Sequence, residues 1–330
     1  MAMKPTGIDD DDADNAVQAQ NGVNVLAGSA FGESSSRRQR RRGFEIAMLS
    51  PALIYLFLLA GLPLIYNVVL SFQQVDLMST AFLVRPFVGF DNYLDVIAQP
   101  DAWVVLVHTI AFVVLSVMFQ VVIGLLLALL FMQPFLAASF MQGFLLIGWI
   151  MPVMVVGAIW KLVFAGDYGV LNYALISLGL IHDKIFWLSD PRYALPAVII
   201  ANIWIGVPFN MLLLAVGLNA IPGEIGEAAK IDGAGPIRRF FYMILPMMLP
   251  TLRAVVCLGV VLTMQQFDLI AALTQGGPAH SSQVAQYWSW QLSFQTFQVS
   301  QGSAVANLML MFVSAAAIIY VRSIRHEQPA

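Results

Sequence analysis

Residues 221–246 read Ile221-Pro-Gly-Glu-Ile-Gly-Glu227-Ala-Ala-Lys-Ile-Asp-Gly233-Ala-Gly-Pro236-Ile-Arg-Arg-Phe-Phe-Tyr-Met-Ile-Leu245-Pro246. A long apolar run ends before this stretch and another begins within it. Pro222-Gly223 breaks the chain, and Glu224 to Asp232 are adequate helix formers for a short helix. Ala228 and Ala229 have small side chains, so another surface can come close. Gly233 and Gly235 permit a turn, and Pro236 suits the first position of a second helix. Arg238 and Arg239 hold that helix in water while its apolar residues lead back into the next run. The stretch predicts a two-helix protrusion between two membrane crossings.

Composition agrees with crossings. Of the 330 residues 59% are hydrophobic and 11% charged, with a mean hydropathy of +0.80; soluble domains are about half apolar and a quarter charged. The one cysteine, Cys257, excludes a disulfide framework and a cysteine-based zinc site, and the four histidines are scattered. No metal, cofactor or nucleic-acid partner is expected. A helix needs about 20 apolar residues to cross the hydrocarbon. Six stretches qualify, at 46–72, 103–132, 144–164, 194–219, 243–272 and 303–321. Each must be helical, because a lone strand would leave its backbone unpaired in lipid. The expected fold is all-α and integral to the membrane, with prolines 51, 63, 152, 208, 246 and 250 kinking or ending spans. The fifth span is the most polar, through Thr263-Met-Gln-Gln-Phe-Asp268, and 281–299 suits an interfacial helix.

With the N-terminus in the cytoplasm, twelve Lys and Arg fall inside and four (Arg85, Lys161, Lys184, Arg192) outside. Both termini are then cytoplasmic. Residues 1–43 combine an acidic run at Asp9–Asp12 with a basic cluster at Arg37–Arg42, and with little to bury they are expected to be a disordered cytoplasmic tail. The membrane domain is expected at 44–325, followed by a short tail at 326–330. The apolar segment after the basic cluster is longer than a signal-peptide core and is read as an uncleaved span.

The spacing Glu227-Ala-Ala, Gly233, then Leu245-Pro246 resembles the "EAA" loop of binding-protein-dependent ABC importer permeases; Met243 stands where that family usually has Ile. Phe87-Val-Gly-Phe-Asp-Asn-Tyr93, Tyr168-Gly-Val-Leu-Asn172 and Gln266-Phe-Asp-Leu-Ile-Ala-Ala-Leu-Thr-Gln-Gly-Gly-Pro278 resemble segments of its maltose-type carbohydrate branch. The resemblance implies a MetI-like, type I importer fold in a bacterial inner membrane, crossed several times. It implies as partners a second permease, an ATP-binding subunit dimer, an extracytoplasmic solute-binding protein and a sugar or polyol substrate. It also makes Glu227, Ala228, Ala229, Asp232, Gly233, Gly235, Pro236, Leu245 and Pro246 the ATPase-coupling loop.

Polar groups inside spans are costly and tend to face the bundle interior or a water-filled path. Asn202, Asn210, Thr263, Gln265 and Gln266 are the informative ones; their amides and hydroxyls suit a neutral polyhydroxyl solute or join helices by hydrogen bonds. By the resemblance, Asn202, Gly206 and Phe209 before the loop match lining positions, as do Gly259, Leu262, Thr263 and Gln266 after it. Asp268 is expected to be structural. The sequence contains no G-x-x-x-x-G-K-[ST] and no H-E-x-x-H, so ATP hydrolysis is expected on a separate chain and this chain is not an enzyme. The competing readings are a secondary transporter or channel, which would need an ion site or a repeat, and a permease for glycerol 3-phosphate. No basic residue lies deep in the fourth or fifth span to meet a phosphate.

Overall fold

The computed structural model of the chain describes residues 45–46, 48–75, 85–133 and 135–325. The two expected tails lie outside the described residues, as do Lys4, the tail arginines and Asp76. Helices dominate, and among the described residues the only β pairing is an isolated antiparallel bridge between Gln73 and Phe87. Two compact units divide between Tyr66 and Asn67, inside the first helix.

Helix α1 is Met48–Ser71, with a π-turn at Phe57–Gly61. Helices α2 (Asp91–Ala98) and α3 (Ala102–Phe131) follow, then α4 (Ala138–Ile150), α5 (Val153–Val163) and α6 (Val170–Ser177). Helix α7 is Pro191–Asn219, α8 is Gly223–Ile231 and α9 is Pro236–Met264. Helices α10 (Asp268–Leu273), α11 (Ala285–Trp290) and α12 (Val299–Arg325) complete the order. Among the described residues five helices are long and apolar enough to cross a membrane, and six spans result if α4 and α5 count as one.

The third and fifth spans show how proline and polar residues break the stretches expected at 144–164 and 243–272. Helices α4 and α5 meet at a bend of 102°. Pro152 has no N–H to continue the helix and pushes Met151 to an extended conformation, with ψ at 141°. Helix α9 stops at Met264, and Gln265 and Gln266 close it with short-range backbone bonds to Leu262 and Thr263. The polar Thr263–Asp268 stretch therefore ends a span rather than crossing lipid.

Other prolines act more gently. A π-turn precedes Pro63 (Phe57–Gly61) and another precedes Pro246 (Phe240–Ile244). In both, the carbonyl four residues before the proline lies within the wider turn, which accommodates the lost hydrogen bond. Pro196 and Pro208 are absorbed within α7.

The core of the second unit is built around α7, whose most extensive contact is with α3. A large apolar cluster gathers Phe112, Val156, Phe164, Val198, Ile205, Leu269 and Tyr287. A second, with Ala128, Met211, Leu214, Leu218 and Met248, lies toward the end that carries α8. The remaining faces of the spans stay apolar and exposed, as lipid or another apolar helix requires.

Candidate functional site

The 221–246 loop forms the two-helix protrusion its residues predict. Pro222 precedes α8, Glu224 sits in its first turn and Lys230 in its last, each sign favourable to the helix dipole. Gly233 ends it at a φ of +76°, a left-handed conformation that favours glycine. The Ala234 N–H then reaches back to the Ala229 carbonyl at 2.9 Å, a glycine-terminated C-cap. Gly235 caps the next helix and Pro236 opens it.

Helix α8 has two unlike faces. Ala229 is 1% exposed and anchors the inner one. Beneath it a groove of about 350 Å³ is bordered by α8, the ends of α3 and α7, and the first turns of α9, with Leu129, Ile225, Glu227 and Met247 in its lining. Away from the groove Ala228, Asp232 and Gly233 are exposed, and Glu227 is exposed at its rim. A Cβ built on Gly226, Gly233 or Gly235 would meet nothing within 4 Å. Ile231 is 87% exposed. A small-residue surface with an isolated large apolar side chain can admit a partner closely, while the inner side borders the ends of three spans. Leu245 is half-buried and Pro246 is exposed.

The expected path residues are held by different neighbours. Asn202 is 2% exposed, and its backbone carbonyl accepts a hydrogen bond from Gln120 Nε2 on α3 at 2.9 Å. Its own amide nitrogen is buried without a partner. Gly206 lies against Gln120, and Asn210 Nδ2 donates to the Gly206 carbonyl at 2.8 Å. Phe209 stacks on Trp149 of α4, with ring centroids 5.0 Å apart. On α9, Thr263 is buried and its carbonyl accepts from Gln286 Nε2 at 3.4 Å. Gly259 faces Val117 of α3, Leu262 is exposed, and Gln266 is half-buried at the break after α9. Asp268 is exposed in the first turn of α10. Gln120 and Ser116 were not singled out from the sequence, although the rule that marks Asn202 applies equally to a glutamine in a 30-residue apolar helix.

The three further motif segments have structural duties. Asn92 Nδ2 donates to the carbonyls of Ser71 and Gln73. The Tyr93 hydroxyl is 2.8 Å from Ser71 Oγ and accepts from Asn307 Nδ2 of α12. Asn172 ties the 166–187 region together, donating to the carbonyls of Gly166 and Ile185 and accepting from Trp187 Nε1. In the Gly-Gly-Pro run, Gly276 at φ +75° lies against the Tyr287 ring, and Ser282 Oγ donates to Thr274 Oγ1.

The chain is similar to known proteins in sequence and in fold. A family model described as "binding-protein-dependent transport system inner membrane component" matches residues 120–325. The sulfoquinovosyl glycerol transport system permease protein SmoG of Agrobacterium fabrum is 33% identical over 284 residues, 86% of this chain and 91% of that one. The trehalose/maltose transport system permease protein MalF of Thermococcus litoralis is 30% identical, over 79% and 90%. The diacetylchitobiose uptake system permease protein DasB of Streptomyces coelicolor is 28% identical, over 93% and 94%. Among solved structures, a bacterial ABC transporter that imports alginate superposes with a TM-score of 0.71 at 21% identity, over 86% of this chain and 96% of that one.

Proposed function

Because this chain belongs to the family of binding-protein-dependent transport system inner membrane components, we propose that it is a permease subunit importing a neutral sugar or polyol, driven by ATP hydrolysed on a separate subunit. The observation that carries the reading is α8, a short helix with a bare outer face, ended by Gly233 in a left-handed conformation and bordering a groove with the ends of α3, α7 and α9. Such a knob passes the closure of an ATPase dimer to the spans. The subunit works beside a second permease and takes its solute from an extracytoplasmic binding protein. Its position is the inner membrane, with α8 and both termini on the cytoplasmic face, as the excess of Lys and Arg on that side favours.

A sugar-type solute is supported by the relatives named for sulfoquinovosyl glycerol, trehalose/maltose and diacetylchitobiose transport, the first of these solutes being a sulfonate anion; the neutral assignment rests on the path residues alone. The candidate path residues Asn202, Gly206, Phe209, Thr263 and Gln266 are uncharged. Amides and hydroxyls both donate and accept toward sugar hydroxyls, whereas a phosphate would call for a cation. Asn202 and Gln266 are assigned as lining residues, Phe209 as an aromatic platform for the ring.

Co-expression with the neighbouring genes, affinity purification in mild detergent and mass spectrometry test the assembly. The expected result is recovery of a second permease and an ATPase whose hydrolysis rises with loaded binding protein, with both losses on Gly233→Arg. Purification of this chain alone in a transport-competent form would overturn the proposal.

A further inference from the structure

The seam between α3 and α7 carries more polar chemistry than apolar packing needs. Ser116, Gln120 and Gly124 recur at four-residue spacing on α3, as Asn202, Gly206 and Asn210 do on α7, so one row of each helix faces the other. The Gln120 side chain fills a notch at Gly206, where a Cβ would stand 2.2 Å from Gln120 Cδ. One turn on, Gly124 admits Asn210, and a Cβ there would stand 3.0 Å from Asn210 Cβ and from the Met211 nitrogen. The Asn202 carbonyl already serves the helix, so the bond from Gln120 is an additional tie on the turn that carries Asn202. At that turn the Asn202 amide nitrogen and the nearby Ser116 hydroxyl are buried without partners. Buried donors are nearly always satisfied, and an exception calls for an explanation.

We infer that Gln120 is a positioning residue of the solute path, fixing the α7 backbone so that the Asn202 amide is kept unpaired for a solute hydroxyl. The inference rests on the reading of Asn202 as a lining residue. It assigns a role to α3, a helix that contributes none of the expected path residues.

The test uses the complete assembly with its ATPase and binding protein, in a Cys257→Ser background carrying Asn202→Cys. Gln120 bonds the backbone of residue 202, so the cysteine leaves the tie in place. The labelling rate by a small hydrophilic methanethiosulfonate is measured without nucleotide and in an ATP-trapped state. Labelling is expected in at least one state, with a rate about tenfold lower when Gln120→Leu is added, since one ordinary hydrogen bond shifts a population by up to about that factor. If Gln120→Leu does not assemble, Gln120→Met, unbranched and without a donor, is compared by the same rate. No labelling in either state would overturn the path reading and the inference together. Labelling that is unchanged or faster with the substituted residue 120 would overturn the positioning role alone, because simple loosening of the seam raises access.

Discussion

Gly206 and Gly233 are both glycines of the second unit, needed for opposite reasons. At Gly206 the surroundings leave no room: a Cβ would collide with Gln120. Gly206→Ala is expected to cost about 1–3 kcal/mol through overpacking, read as a lower Tm of the purified assembly. Shortening the partner in Gly206→Ala/Gln120→Ala is expected to recover part of that loss; a double variant no more stable than the single one would show that the collision is not the cause. At Gly233 there is room in every direction but the backbone is left-handed. Gly233→Ala is expected to cost roughly 1–2 kcal/mol locally and to weaken coupling, with Gly233→Asn milder because asparagine tolerates this conformation. Equal transport by all three residues would remove the C-cap from the account. The sequence announced the turn at Gly233, since glycine after a short helical run has few other uses. The Gly206 notch was hidden, because no spacing within one helix reveals which side chain of another will fill it.

At the scale of elements, proline placement was legible and its consequences were only partly so. Pro152, in an otherwise apolar run, gave warning of a kink, but the 102° bend between α4 and α5 depends on tertiary contacts such as the Gly148–Trp204 and Trp149–Phe209 approaches. The polar Thr263–Asp268 stretch was legible as a weakness and proves to be the end of a span. Pro246 widens the preceding turn at Phe240–Ile244. Pro246→Ala lets this segment return to regular helix, and loss of one bulged residue turns the chain before it by about 100°. That rotation re-aims α8 relative to the spans, so the expected outcome is sustained ATP hydrolysis with less solute moved per ATP. An unchanged ratio would mean that the π-turn has no part in coupling. Asn172 offers a comparable test away from the loop. It satisfies half-buried partners at Gly166, Ile185 and Trp187, so Asn172→Ala removes several hydrogen bonds at about 0.5–1.5 kcal/mol each. The thermal midpoint of the assembly is expected to fall clearly, and a shift of less than a degree would contradict the hub role.

For the whole molecule, the apolar composition, the six-span count and the loop motif together specified a permease, and the family match over residues 120–325 agrees. The way the path is held was less legible. Asn202, Asn210 and Thr263 were identifiable as polar groups in lipid, but one-dimensional spacing cannot separate a side chain that faces a solute from one that joins helices. In a single turn the Asn202 backbone carbonyl is tied to α3 while its buried side-chain nitrogen has no partner.

The most direct measurement is uptake of radiolabelled neutral disaccharides and polyols into proteoliposomes holding the complete assembly, with loaded binding protein presented on its docking side and ATP supplied on the α8 side. The account predicts accumulation that requires hydrolysable ATP, is indifferent to proton and sodium gradients, and disappears with Gly233→Arg. Accumulation driven by an imposed ion gradient in the absence of the ATPase would contradict it.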